Sequence, residues 1–312
     1  MIVSLPLGIL RAEKSARIAS KRPISSRTLS CPGVRVDWEE SLSFGLGFTG
    51  IPVSGDIPDL QQDRGALSSP SCQATFPALQ AARRTSPTHF LRHRTVRIDS
   101  ALRAKCPRIA LGLLVGHISV HNTPGDLLEE MKLRENEILK LPDPRALLEC
   151  PKIRSTRAAY RTLGKDPSRY RGSAEALLRR IASRKGFPRI NTAVDIINLV
   201  CVESRLAIGL YDLAQVKGHM VFRIGREGET YKGIGNFHLN LEGLSVICDE
   251  SGPLGSPTRD SERTMVTSST EHVTAILISF GGIDGLEWAG ERISGLMQKY
   301  AAGRDIHFEI IS

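Results

Sequence analysis

Residues 186–218, GFPRINTAVDIINLVCVESRLAIGLYDLAQVKG, decide the fold. After Gly186 and Pro188, the run NTAVDIINLVCVESR puts Val194, Ile197, Val200 and Cys201 on one face at helical spacing. Asn191 stands where a helix N-cap belongs. LAIGLYD is then a short apolar run that reads as a strand, with Asp212 as a turn former at its end.

Working outward, Ile109 to Val120 reads as a buried strand, and Asn122, Pro124 and Gly125 as a turn. DLLEEMKLRENEILKL follows with Leu127, Leu128, Met131 and Ile138 at helical spacing. Pro142, Pro144 and Pro151 break the chain. A helix is expected from about Arg154 to Leu163, and Ser173 is expected to cap SAEALLRRIASRKG. Beyond the central stretch, HMVFRI, LSVICD, VTAILISF and IHFEII read as strands. DGLEWAGERISGLMQKYA is an amphipathic helix that buries Leu286, Ala289, Ile293, Leu296, Met297 and Tyr300. Helices and strands mix without regular βαβ alternation, so the expected class is α+β: a mixed β-sheet flanked by helices. Residues 1–95 are rich in Ser, Pro, Gly and Arg and carry neither helical nor strand periodicity. They read as a largely disordered N-terminal extension outside a folded unit at 96–312.

Of the 312 residues, 42 are Lys or Arg and 33 Asp or Glu, a formal net charge of +9. That charge is local. Residues 152–189 hold twelve basic residues against Asp166 and Glu175, a net of +10. They are Lys152, Arg154, Arg157, Arg161, Lys165, Arg169, Arg171, Arg179, Arg180, Arg184, Lys185 and Arg189, with Tyr160, Tyr170 and Phe187 interleaved. A phosphate backbone needs such a footprint. Arg outnumbers Lys by nine to three, which favours recognition over mere solubility, because the guanidinium fork matches phosphate oxygens. A solvated helix face is the competing account.

The six cysteines, at 31, 72, 106, 150, 201 and 248, make no CxxC pair, and reduced, mostly buried thiols of a cytoplasmic protein are expected. His117 and His121 lie in a segment that reads as a strand and lack an HExxH glutamate, so no metal is expected. There is no GxxxxGK[ST] and no GxSxG, and GREGETYKGIG lacks the GxGxxG order, so no cofactor is expected. No run approaches the roughly 18 apolar residues of a membrane span.

From about Lys152 to Ala302 the chain resembles the B3/B4 editing domain of the phenylalanyl-tRNA synthetase β subunit, in its freestanding form. SAEALLRR (173–180) looks like the helix before the family's GIRPINNVVD motif. GFPRINTAVDIINLV (186–200) is similar to that motif itself, with Arg189, Ile190, Asn191, Val194 and Asp195 in step. LAIGLYDLAQVKG (206–218) is similar to PLHAFDLDKLKG, and IGREGE (224–229) and CDESGP (248–253) follow in order. RSTRAAYRTLGKDPSRYR (154–171) is characteristic of freestanding members.

The resemblance implies hydrolysis of the ester between a wrong amino acid and the tRNA 3′ ribose, carried out in trans on aminoacylated tRNA. The family's site asparagine falls on Asn191, whose amide is expected to orient the ester or ribose. Its hydroxyl-reading glutamate falls on Glu262. Its histidine falls on Gly209, which is expected to remove a polar group and leave space. Tyr211 and Asp212 replace the family's Phe and Asp. Arg154, Arg157, Arg161, Lys165, Arg169, Arg171, Arg179 and Arg180 are the expected tRNA contacts. Neither a DNA nor a membrane partner is expected. Two alternatives stay open: a non-catalytic RNA-binding module, and a binder or hydrolase of free amino-acid derivatives.

Overall fold

The computed structural model describes residues 95–235 and 237–312, with the backbone alone described at position 237. The extension expected over 1–95 lies outside the described residues, save Thr95.

The centre is an antiparallel sheet. β2 (Ala110–His117) pairs with β9 (His272–Ser279) over its whole length. β9 then pairs with β3 (Ala207–Asp212), and β2 with β10 (Arg304–Ile311), giving the order β10-β2-β9-β3. β2 is apolar at nearly every position, so alternation sends side chains into two different cores. Ala110 and Leu114 face one, and Leu111, Leu113 and Val115 face the other. β9 and β3 divide likewise: Val273, Ala275, Leu277, Ile208 and Leu210 on one side, Ile276, Ile278, Ala207 and Tyr211 on the other.

The first core is closed by helices α2 (Gly125–Leu139), α4 (Ser173–Ala182), α5 (Thr192–Ser204) and α6 (Leu286–Tyr300). The second is closed by another sheet, in which β1 (Val96–Ile98) runs parallel to β4 (Met220–Ile224). β7 (Ser245–Asp249) and β8 (Gly252–Gly255) continue it antiparallel, and α1 (Ser100–Lys105) packs Leu102 beneath. A hairpin, β5 (Thr230–Gly233) with β6 (Phe237–Asn240), forms a third, two-stranded sheet whose Tyr231 packs with Tyr160, Val246 and Cys248.

The class is α+β, with one correction. Among the described residues the single mixed sheet is two four-stranded sheets packed face to face, of which β10-β2-β9-β3 is wholly antiparallel and the other is mixed through its parallel β1–β4 pair. The reason is the doubly apolar β2, β3 and β9, which one helical layer cannot cover. A second correction concerns proline. Pro144 and Pro151 do not merely interrupt the chain. Each opens a helix: the 3₁₀ turn Pro144–Glu149 and α3 (Pro151–Thr162), where a missing N–H goes unnoticed. α3 therefore starts three residues earlier than its charge pattern suggests. Third, Ser173 does not cap α4. The cap is Gly172, and the Ser173 hydroxyl accepts instead from Ile208 N at 3.3 Å, on the free side of β3.

Candidate functional site

α3 carries Arg154, Arg157 and Arg161, spaced three and four apart on one face. With Glu149, Ser155 and Ala158 they line an open depression of about 400 Å³. The arginines differ in state. Arg154 and Arg161 are exposed. Arg157 is only 15 % exposed and forks onto Glu175 through Nε and Nη2 at 2.9 and 3.0 Å, while its Nη1 donates to Glu149 at 3.1 Å. Glu175 also takes Arg179 at 2.8 Å. Burial pushes the Glu175 carboxyl up, but the two guanidiniums outweigh it and hold it below its ordinary value. Lys165 lies over the Tyr170 ring at 5.6 Å, and Arg169, Arg171 and Arg180 are exposed.

Asn191 is the N-cap of α5. Its Oδ1 accepts from Val194 N at 3.0 Å, and its amide nitrogen carries no hydrogen bond among the described residues. The turn that presents it is tied down on both sides. Thr192 Oγ1 donates to His121 O at 2.7 Å, and Asp195 accepts from Thr123 Oγ1 at 2.8 Å and from Ile190 N at 3.1 Å. Burial raises the Asp195 carboxyl.

Glu262 opens a short 3₁₀ turn, Glu262–Thr264, and its carboxylate lies 2.8 Å from Lys232 Nζ at 31 % exposure. Asp212 is the turn former expected. Its Oδ1 accepts from Ala214 N at 2.9 Å and its Oδ2 from Thr270 Oγ1 at 2.9 Å.

Gly209 overturns the expectation of empty space. A Cβ there would lie 2.1 Å from the Tyr211 hydroxyl, and one at Gly255 would meet the same oxygen at the same distance. The buried phenol fills the slot between the two glycines and donates to Asp260 Oδ1 at 2.8 Å. Asp260 Oδ2 accepts from Leu210 N at 3.3 Å. Burial outweighs these two hydrogen bonds and pushes the carboxyl up to about 7.

Asp260 belongs to a loop, residues 256–261, that three tyrosines from three elements hold. Tyr160 of α3 hydrogen-bonds Thr258 Oγ1 at 2.8 Å, Tyr211 of β3 binds Asp260, and Tyr231 of β5 donates to Arg259 O at 2.5 Å. Burial raises all three phenols above their ordinary value. Sequence reasoning missed Asp260 and Glu149. Asp260's partner is 49 residues away and Thr258's is 98 away, and no local pattern signals either contact. Among the described residues no group of three or more His, Cys, Asp or Glu is placed to hold a metal ion, and no helix is long and apolar enough to cross a membrane.

The fold segment that carries α3, Asn191, Gly209 and Glu262 is also the one with known relatives. Residues 155–284 match the model of the B3/4 domain. The phenylalanine–tRNA ligase beta subunits of Brucella abortus and of Paramagnetospirillum magneticum are each 38 % identical over 69 residues, 22 % of this chain and 9 % of the relative. The chain thus spans under a tenth of the length of the curated relatives it matches. A crystal structure of an N-terminal fragment of the phenylalanyl-tRNA synthetase beta subunit from Pyrococcus horikoshii aligns with 68 % of this chain and 50 % of its own, at 16 % identity and a TM-score of 0.37. Residues 155–284 thus match the B3/4 domain, and the chain is similar over 69 residues to phenylalanine–tRNA ligase beta subunits.

Proposed function

We propose that this domain binds the aminoacylated end of a tRNA and hydrolyses a mischarged ester in trans. The observation that carries the reading is the overlap of the B3/4 match with most of the basic face of α3, where Arg161 stands exposed beside the depression and exposed Arg154 directly precedes the matched residues. Arg169, Arg171 and Arg180 are exposed as well. Asn191 supports the hydrolytic part: its amide nitrogen, fixed by the cap at Oδ1, is free to donate to an ester carbonyl or a ribose hydroxyl. An aminoacyl ester is activated, so an oriented water can serve as the nucleophile, attacking the carbonyl as the ribose oxygen leaves, without a strong nucleophile from the protein. Glu262 is the acceptor proposed for a polar group on the amino acid. The unpaired thiols Cys106, Cys150, Cys201 and Cys248 suit action in the cytoplasm.

The test is deacylation of a panel of mischarged tRNAs. Asn191→Ala is expected to slow every substrate. Glu262→Ala is expected to slow the preferred one by roughly ten- to hundredfold, the worth of a hydrogen bond to a charged group, with tRNA affinity nearly unchanged. Deacylation no faster than the spontaneous rate on every substrate leaves the second reading, a non-catalytic RNA-binding module. Gly209 favours that second reading, because the polar group expected at its position is missing and the Tyr211 phenol fills the space.

A further inference from the structure

The Arg157 guanidinium donates through three nitrogens, and each has a carboxylate partner. Nε and Nη2 fork onto Glu175, whose side chain is 5 % exposed. Nη1 donates to Glu149, whose side chain is 69 % exposed and sits at the end of the 3₁₀ turn Pro144–Glu149. Glu149 and Arg157 line the same depression, with Arg154, Ser155, Ala158 and Arg161 completing its wall. Three guanidinium-bearing side chains and a hydroxyl therefore surround a volume of about 400 Å³, within the range of roughly 300–1,000 Å³ usual for ligand sites. The single carboxylate among them rests on the one Arg157 donor that the interior does not use.

We propose that this depression is a phosphate subsite for the RNA backbone and that Glu149 is its built-in competitor, occupying the Arg157 donor that a phosphodiester oxygen takes when RNA binds. The proposal rests on the RNA-binding reading above. Carboxylate and phosphate oxygens present the same acceptor to a guanidinium. The two glutamates differ in how firmly they are held. Glu175 is enclosed and takes a second guanidinium from Arg179, so it stays and fixes the Arg157 plane. Glu149 belongs to an ion pair with one partner largely in solvent, a kind that holds weakly. A phosphate entering between Arg154 and Arg161 meets a preset Nη1 and displaces it.

Glu149→Gln in the full chain removes the charge and keeps the side-chain shape. Its Kd for a short single-stranded RNA at low salt is expected to be roughly two- to fivefold lower than that of the unsubstituted protein. The advantage should shrink as salt is added. Glu137→Gln is the reference. It changes net charge identically, at an exposed carboxylate paired with Arg134 on α2, outside the depression. Equal tightening by both variants reduces the effect to net charge and overturns the proposal. Inorganic pyrophosphate is the second probe, read by thermal shift. Greater stabilisation of Glu149→Gln than of the unsubstituted protein is expected, and equal stabilisation overturns the subsite whether or not RNA binds. Tightening for pyrophosphate with RNA affinity unchanged overturns the assignment to an RNA backbone. Absence of RNA binding in every variant sinks the RNA reading by itself, so the two ideas fail separately.

Discussion

Glu175 and Asp260 are two enclosed carboxyl groups with opposite electrostatics. Glu175 faces Arg157 and Arg179 and is held below the ordinary carboxylate range. Asp260 faces a phenol and a backbone amide, and burial lifts it to about 7. Burial pushes both upward, and only the presence of cations reverses the sign. The Tyr211 hydroxyl and the Leu210 N–H, which oppose burial at Asp260, are neutral donors, and the Asp260 carboxylate in turn raises Tyr211, Tyr231 and Cys201. One region thus commits its arginines to an interior carboxylate, and the other leaves its enclosed carboxyl raised to about 7.

The contrast breaks most violently at Arg157. Arg157→Ala leaves Glu175 enclosed with only the half-exposed Arg179, and is expected to cost about 3–5 kcal/mol in urea unfolding. Arg154→Ala, on the same face but exposed, should stay within about 0.5 kcal/mol. Similar losses for the two would abolish the distinction between pinned and free arginines.

The pH dependence sharpens the contrast next. Asp260 has a folded pKa above its unfolded one. Its stabilising effect is complete below the ordinary carboxylate range and is lost as pH rises toward about 7. Glu175 has a lowered folded pKa, so its contribution is present above the ordinary range and is lost as pH falls. Asp260→Asn mimics the protonated acid. Between about pH 4 and 7 it should lack a decline of roughly 2–4 kcal/mol that the unsubstituted protein shows. Parallel stability curves for the two would place Asp260 in water.

The smallest effect expected is at Gly209. Gly209→Ala drives a methyl into the Tyr211 hydroxyl and should cost about 1–3 kcal/mol as overpacking. In a Tyr211→Leu background, where the phenol is gone, much of that penalty should vanish, and a double-mutant cycle measures the coupling. Additive losses would show that the slot is filled by something else.

Much of the fold was legible because its elements write their own period. α5, α6, β2, β3 and β9 bury continuous or periodic apolar runs, and the structure places them as read. The second sheet was not legible as a layer, since β1 and β8 are three and four residues long and β1 owes its pairing to β4, more than a hundred positions away. The candidate site divides the same way. The basic footprint and the Asn191 cap are local statements, readable from spacing. That Arg157 faces inward depends on Glu175, 18 residues on and on another helix. That Gly209 leaves no room depends on where a neighbour's phenol goes, which spacing cannot express.

That phenol has a consequence on the scale of descent. Position 209 acquires a side chain only at a cost while 211 remains tyrosine, and 255 is crowded by the same oxygen. Three positions, two of them glycine and scattered over 47 residues, are therefore sterically tied: what each tolerates depends on the others. A lineage that changes any of them passes through a crowded or hollow intermediate unless the others change with it.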